Sequence, residues 1–186
     1  MSNYYDGFIE RVLYSEEEIA VKTAELADQI SKKYEGKRLV VIGILKGSFM
    51  FMSDLVKRLN VEHRVDFMAL SSYGNKTVST GAVRIIMDLR TSILNEHVLI
   101  VEDIVDSGYT LQFLHNLLKT RSPASISTCV LLNKPDRTKV SVLTDDDFLG
   151  FNIPDEWVVG YGLDYDERFR TMPFVGVLKR EVYEKQ

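Results

Sequence analysis

Cysteine is almost absent from this 186-residue chain, and that scarcity removes a class of folds at once. Cys129 stands alone, so no internal disulfide can form, and it lies in the apolar segment 127–132, where a thiol is a buried, inert core group rather than a nucleophile. Histidine is scarce as well: His63, His97 and His115 show no metal-ligand spacing and read as scaffold or surface. No apolar run approaches the ~20 residues of a membrane-spanning helix, and the opening Met1 to Asp6 lacks a basic region followed by an apolar core. The expectation is a cytoplasmic protein with no membrane partner. An excess of positive charge is missing too: the net charge is −4, which argues against a broad nucleic-acid-binding face, although local basic patches are compatible with it. No repeat, linker or low-complexity segment divides the chain, so residues 1–186 read as one domain, with 45% hydrophobic residues to fill a core.

What is present alternates between strand and helix signals. Ser15-Glu16-Glu17-Glu18 has capping-box spacing, and Ile19, Thr23, Leu26, Ala27 and Ile30 mark one face of a helix ending near Gly36. Leu39 to Leu45 is a buried strand, followed by Lys46-Gly47-Ser48 and a helix carrying Phe49, Met52, Leu55, Val56 and Leu59. Val65 to Leu70 and Ala82 to Leu89 predict strands flanking a mobile polar loop over 71–81. Further strands are expected near 126–132, 157–161 and 174–178, with an irregular acidic stretch through Asp145-Asp146-Asp147 read as a solvated turn. This order predicts a parallel α/β sheet flanked by helices, with the loops at 46, 71, 103 and 133 converging beyond the carboxyl ends of its strands.

Residues 98–110 concentrate the chemistry. Val98-Leu99-Ile100-Val101 is apolar on both faces, as in a buried parallel strand; it breaks into Glu102-Asp103, and Asp106-Ser107-Gly108-Tyr109-Thr110 then leads into the helical spacing of Leu111, Leu114, Leu117 and Leu118. A small-residue turn opening onto a helix N-terminus binds anions through outward backbone N–H groups, with the hydroxyls of Ser107 and Thr110 as added donors. Two adjacent carboxylates repel phosphate unless they hold a metal ion or accept hydrogen bonds from a sugar diol, and a sugar phosphate uses both ends.

The stretch Val101 to Thr110 resembles the motif that binds 5-phosphoribosyl-1-pyrophosphate (PRPP) in type I phosphoribosyltransferases, and the chain from about Leu39 to Arg170 is similar to the hypoxanthine-guanine branch of that family. The resemblance implies a twisted parallel sheet over about 37–150, with a small hood built from about 1–14 and 151–186. It implies that Glu102 and Asp103 hold the ribose hydroxyls or metal, and that the 106–110 turn cradles the 5-phosphate. Asp106 would exchange a proton with purine nitrogen 7; capping the following helix is the plainer alternative, and the two are compatible. The family's Lys-Gly loop meets pyrophosphate largely through main-chain N–H groups, which assigns Gly47 and leaves Lys46 as either a direct contact or a solvent-facing lysine. Lys134 would donate to the purine 6-carbonyl, Trp157 would stack on the base with Val158 offering its carbonyl, and Ile104 would close the opposite face. Asp164 matches the carboxylate near the base that serves a second magnesium ion, Arg170 matches a pyrophosphate-binding arginine, and Ser72-Tyr73 match the start of a flexible closing loop. Arg137 either meets pyrophosphate or pairs with an acid. Tyr109 replaces a lysine of some members, and Ser48 replaces a glycine.

The function implied is purine salvage: Mg²⁺-dependent transfer of the phosphoribosyl group from PRPP to hypoxanthine or guanine, giving IMP or GMP and pyrophosphate, by a homodimer or homotetramer. The competing readings are an adenine- or xanthine-preferring phosphoribosyltransferase, with Lys134 disfavouring adenine, and a PRPP sensor of the same fold that binds nucleic acid. The acidic balance disfavours the last.

Overall fold

A computed structural model describes Tyr5 and residues 7–72 and 83–184. It contains strands β1 (Ile9–Tyr14), β2 (Leu39–Leu45), β3 (His63–Ser72), β4 (Val83–Met87), β5 (His97–Val105), β6 (Ser125–Asn133), β7 (Phe148–Asn152), β8 (Val158–Val159) and β9 (Val175–Leu178). The helices are α1 (Glu16–Lys33), α2 (Phe49–Val56), α3 (Tyr109–Lys119) and α4 (Arg180–Tyr183). Six strands form the main sheet in the order β4-β3-β2-β5-β6-β7, all parallel except the edge pair β3 and β4. The terminal segments form a separate antiparallel sheet, β1-β9-β8, the hood expected from the resemblance.

β2 is apolar throughout because both of its faces are covered. Leu39 and Val41 join Leu99 and Val101 in a core beneath α1 and α2, which contribute Ile19, Leu26, Ile30, Phe51, Met52 and Leu55. Val40, Ile42 and Ile44 face the other way, with Val98 and Ile100, onto Leu111, Leu114 and Leu118 of α3. Each core side chain of this size stabilises the fold by roughly 1.5–3 kcal/mol relative to exposure. α1 starts at the expected capping box, with Ser15 Oγ accepting from the Glu18 N–H at 3.2 Å and Glu18 Oε2 accepting from the Ser15 N–H at 2.8 Å. The hood has its own small core of Val159, Phe169, Met172 and Leu178.

The structure corrects several expectations. The central strand does not end at Val101: pairing with β6 continues to Val105, opposite Asn133, so the acid pair lies inside β5. α2 buries Phe51, Met52 and Leu55, while Phe49 is 39% exposed and Leu59 lies beyond the helix. β7, parallel to β6, follows directly on the acidic stretch, and β1 occupies a segment with no strand signal in our reading. Asp147 is not simply solvated, since it accepts from the Thr128 N–H at 2.6 Å and the Thr144 N–H at 2.8 Å and so closes the turn. Ser72 is the last residue of β3, opposite Val83, rather than part of a loop; Tyr73 lies outside the described residues. Among the described residues no helix is long and apolar enough to cross a membrane.

Candidate active site

At the carboxyl edge of β2 and β5 the strands give way to a cavity of about 310 Å³, lined by Gly47 of the Lys-Gly loop, by Glu102 to Val105 and by Asp106 to Gly108 and Thr110. Two loops that sequence reading expected to meet therefore do so. The phosphate turn is shaped by Gly108, the residue before α3, whose φ of +87° lies in the left-handed region that favours glycine. A Cβ there would also stand 2.3 Å from the Val140 carbonyl oxygen. Beneath the turn, the Ser107 carbonyl accepts from the N–H groups of Lys139 and Val140 at 3.1 and 3.2 Å. The first N–H groups of α3 have no partner within the helix, and no acidic side chain occupies its first turn, so its positive end is open to an anion.

Glu102 is only 7% exposed. Burial pushes its carboxyl well above the usual range, and the neighbouring Asp103 charge adds to this. Burial also raises Asp103, opposed by its hydrogen bond to Glu102, by the Ile104 N–H at 2.9 Å and by the Arg170 charge. Of the two carboxyls, Glu102 is pushed upward by both burial and its neighbour, so it is the one that burial most favours in the protonated form. Asp103 in turn rests on the Lys-Gly loop: a Cβ on Gly47 would stand 1.7 Å from its Oδ2, so a side chain at 47 would displace that carboxylate.

Cations border the same edge. The Leu45–Lys46 peptide is cis, and Lys46 Nζ is 2.6 Å from Glu167 Oε2. Arg170 is 2.8 Å from Asp164 and 3.0 Å from Glu167 through Nη2, and its Nη1 donates to the Gly162 carbonyl at 2.9 Å. Its Nε is buried without a partner among the described residues. Lys46 and Arg170 hold the Glu167 carboxyl below its ordinary value. The hood loop reaches the Lys-Gly loop through Gly162, and beside it Tyr161 donates to Asp54 Oδ2 at 2.8 Å, tying the loop to α2.

The residues expected at the base form a second group outside the cavity lining, apart from Ile104, which is part of it. The Lys134 side chain is 12% exposed, and its Nζ donates to the Glu156 carbonyl at 2.7 Å and lies 3.6 Å from Asp155. Trp157 is 51% exposed, its ring meeting Tyr165 nearly at right angles with centroids 5.7 Å apart, while Val158 is buried in β8. Arg137 pairs with an acid: its Nε donates to Asp106 Oδ1 at 2.9 Å, and Nη1 lies 3.6 Å from Asp155. Asp106 is therefore bound to Arg137 and makes no side-chain cap on α3, whose cap is Gly108. Sequence reading assigned nothing to Glu167; its place three residues before Arg170 was the available signal.

Comparison with known proteins places the chain. The family model for the phosphoribosyl transferase domain matches residues 12–166. A hypoxanthine-guanine phosphoribosyltransferase of Staphylococcus aureus is 50% identical over 94% of this chain and 97% of its own length. The crystal structure of a hypoxanthine phosphoribosyltransferase from Staphylococcus aureus superposes with a TM-score of 0.93 at 48% identity, covering 98% of each chain. The bifunctional protein TilS/HprT of Listeria innocua is 48% identical over 94% of this chain, which spans 27% of that relative's length.

Proposed function

The chain belongs to the phosphoribosyltransferase family, in its hypoxanthine-guanine branch, and from that premise we propose that it transfers the 5-phosphoribosyl group of PRPP to hypoxanthine or guanine, releasing pyrophosphate. The observation that carries this reading is the joining of a buried acid pair, an open helix N-terminus and the Gly47 backbone around one cavity. A phosphorylated sugar with a second anionic group at carbon 1 matches those surfaces in that order.

In this reading the N–H groups and hydroxyls of 107–110 hold the 5-phosphate, and Glu102 with Asp103 accepts hydrogen bonds from the ribose hydroxyls. Gly47, Lys46 and Arg170 meet the pyrophosphate, and the orphaned Arg170 Nε has a donor to spare for it. As the bond from carbon 1 to pyrophosphate loosens, positive charge grows on the sugar and negative charge on the leaving group, where these cations stabilise it. The purine nitrogen attacks carbon 1 directly, so no covalent enzyme intermediate is needed. Lys134 donates to the 6-carbonyl, Trp157 covers a face of the base and Ile104 the other, and Asp106 receives the proton of nitrogen 7.

The donor set suits Mg²⁺. Among the described residues no cluster of three or more His, Cys, Asp or Glu side chains forms a cage, and paired carboxylates such as Glu102 and Asp103 fit an ion that keeps waters and substrate oxygens, with Asp164 as a separate candidate. Such an ion, when bound, neutralises the charge of the diphosphate. We further read the protein as a cytoplasmic homodimer or homotetramer without nucleic-acid or membrane partners. One assay series tests the function: Mg²⁺ and PRPP with hypoxanthine, guanine, xanthine or adenine supplied separately. Nucleotide and pyrophosphate should appear in equal amounts with hypoxanthine or guanine; turnover of adenine alone, or of none, rejects the reading.

A further inference from the structure

Lys46 and Arg170 come from opposite ends of the chain, one from the loop after β2 and the other from the hood, yet both point at one carboxylate. Glu167 Oε2 lies 2.6 Å from Lys46 Nζ and Oε1 lies 3.0 Å from Arg170 Nη2, so the two oxygens are divided between the two cations. Lys46 Nζ has no other acceptor among the described residues. The bridge is built to present that carboxylate. Asp166 and Glu167 adopt φ of +52° and +59°, a left-handed turn that non-glycine residues adopt only where the surroundings hold them. The Glu167 N–H donates to Asp164 Oδ2 at 2.8 Å, and Asp164 itself pairs with Arg170 at 2.8 Å.

We propose that Glu167 is an internal stand-in for the departing pyrophosphate, filling the place between Lys46 and Arg170 that the anion takes when bound; this rests on the reading that these two residues are the pyrophosphate cations. The geometry matches the replacement. A carboxylate offers two anionic oxygens to two cations, while a pyrophosphate offers more oxygens and more charge to the same pair, and it also reaches the unpartnered Arg170 Nε, which Glu167 does not. The Lys46–Glu167 pair is exposed on both sides, so its hold is weak and its carboxylate can swing to solvent. Two consequences follow from one contact. With the site empty, Glu167 keeps like charges from Lys46 and Arg170 from repelling each other. With pyrophosphate bound, the displaced carboxylate competes for the same cations and lowers the affinity of that product, which favours its release.

The test is titration calorimetry with inorganic pyrophosphate in excess Mg²⁺ on the wild type, Glu167→Gln and Glu167→Asn. Asparagine tolerates the left-handed turn and provides a second neutral variant should glutamine disturb the fold. Both variants should bind pyrophosphate about 3- to 10-fold more tightly than the wild type, the range expected when the exposed Lys46–Glu167 pair and the half-exposed Arg170–Glu167 pair are removed as competitors. Product inhibition by pyrophosphate should strengthen by the same factor, with the KM for the purine unchanged. Wild-type binding with equal or weaker binding by both variants would show that Glu167 supports the site rather than competing for it, and overturns the proposal alone. If the wild type does not bind pyrophosphate at all, the assignment of Lys46 and Arg170 fails with it.

Discussion

Gly162 stands so close to Gly47 that a Cβ on it would lie 1.9 Å from the Gly47 carbonyl oxygen. The hood and the main sheet thus meet backbone to backbone, with Gly47 close against the Asp103 carboxylate and the Gly162 carbonyl accepting from Arg170 Nη1. Gly162 also has φ of +104°, so Gly162→Ala is strained twice over. The variant should separate the two loops by a fraction of an ångström to an ångström, lower kcat/KM for PRPP about 10²-fold and leave purine binding less affected. Steady-state kinetics with each substrate varied in turn measures this.

Asp106→Asn keeps the shape of the turn while removing its base. Turnover should fall about 10²- to 10⁴-fold with little change in the KM for PRPP. Equal activity of that variant removes Asp106 from proton transfer.

The Glu102 carboxyl is held above its ordinary value by burial and by Asp103, so the folded protein binds its proton more tightly than the unfolded chain does. Stability from this group is therefore complete below the unfolded value near 4.5 and declines as pH rises through the raised folded value. Glu102→Gln should abolish that decline: thermal melts of the ligand-free protein from pH 4 upward should show the variant gaining on the wild type as pH rises, while its affinity for PRPP drops. Parallel pH profiles of the two proteins would contradict the assignment.

Lys134→Met removes the bond to the Glu156 carbonyl and, in the proposed reading, the donor to the purine 6-carbonyl. The KM for hypoxanthine should rise about 10- to 100-fold, the usual span for losing a charged hydrogen bond, with kcat changed less. The melting temperature should fall by a few degrees, as measured by calorimetry, because the loss amounts to about 1–3 kcal/mol.

Burial drives the Cys129 thiol far above its ordinary range. Alkylation by iodoacetamide should therefore be slow in the native protein and fast in denaturant, with no loss of activity before unfolding. Mass spectrometry follows both.

Much of the frame is legible in the sequence because its elements carry strong local signals. β2 has an uninterrupted apolar run, α1 has both its capping box and a regular buried face, and the 106–110 turn has an order of residues with few other uses. The misses have local causes. β1 is interrupted by register shifts between Ile9 and Arg11 and between Val12 and Tyr14, which erase the period of two that marks a strand. β7 lies at a sheet edge, half covered, and its Gly150 dilutes the apolar pattern. α2 begins Phe49-Met50-Phe51-Met52, apolar on every face, so spacing alone does not tell which aromatic turns inward. Within the site, the order of motifs anticipated that Gly47 and the 102–110 segment meet, whereas the pairing of Asp106 with Arg137, or of Lys46 and Arg170 across Glu167, follows from folding segments far apart in sequence.

The continuation of β5 to Val105 seats Glu102 and Asp103 on a central strand of the main sheet, laddered to β6 beyond the point where pairing with β2 stops at Val101, while Trp157 stands at the start of the short second sheet and Val158 lies within it. In the proposed reading, an exchange at Trp157 would alter the cover on the base and leave the strand that carries the acid pair untouched.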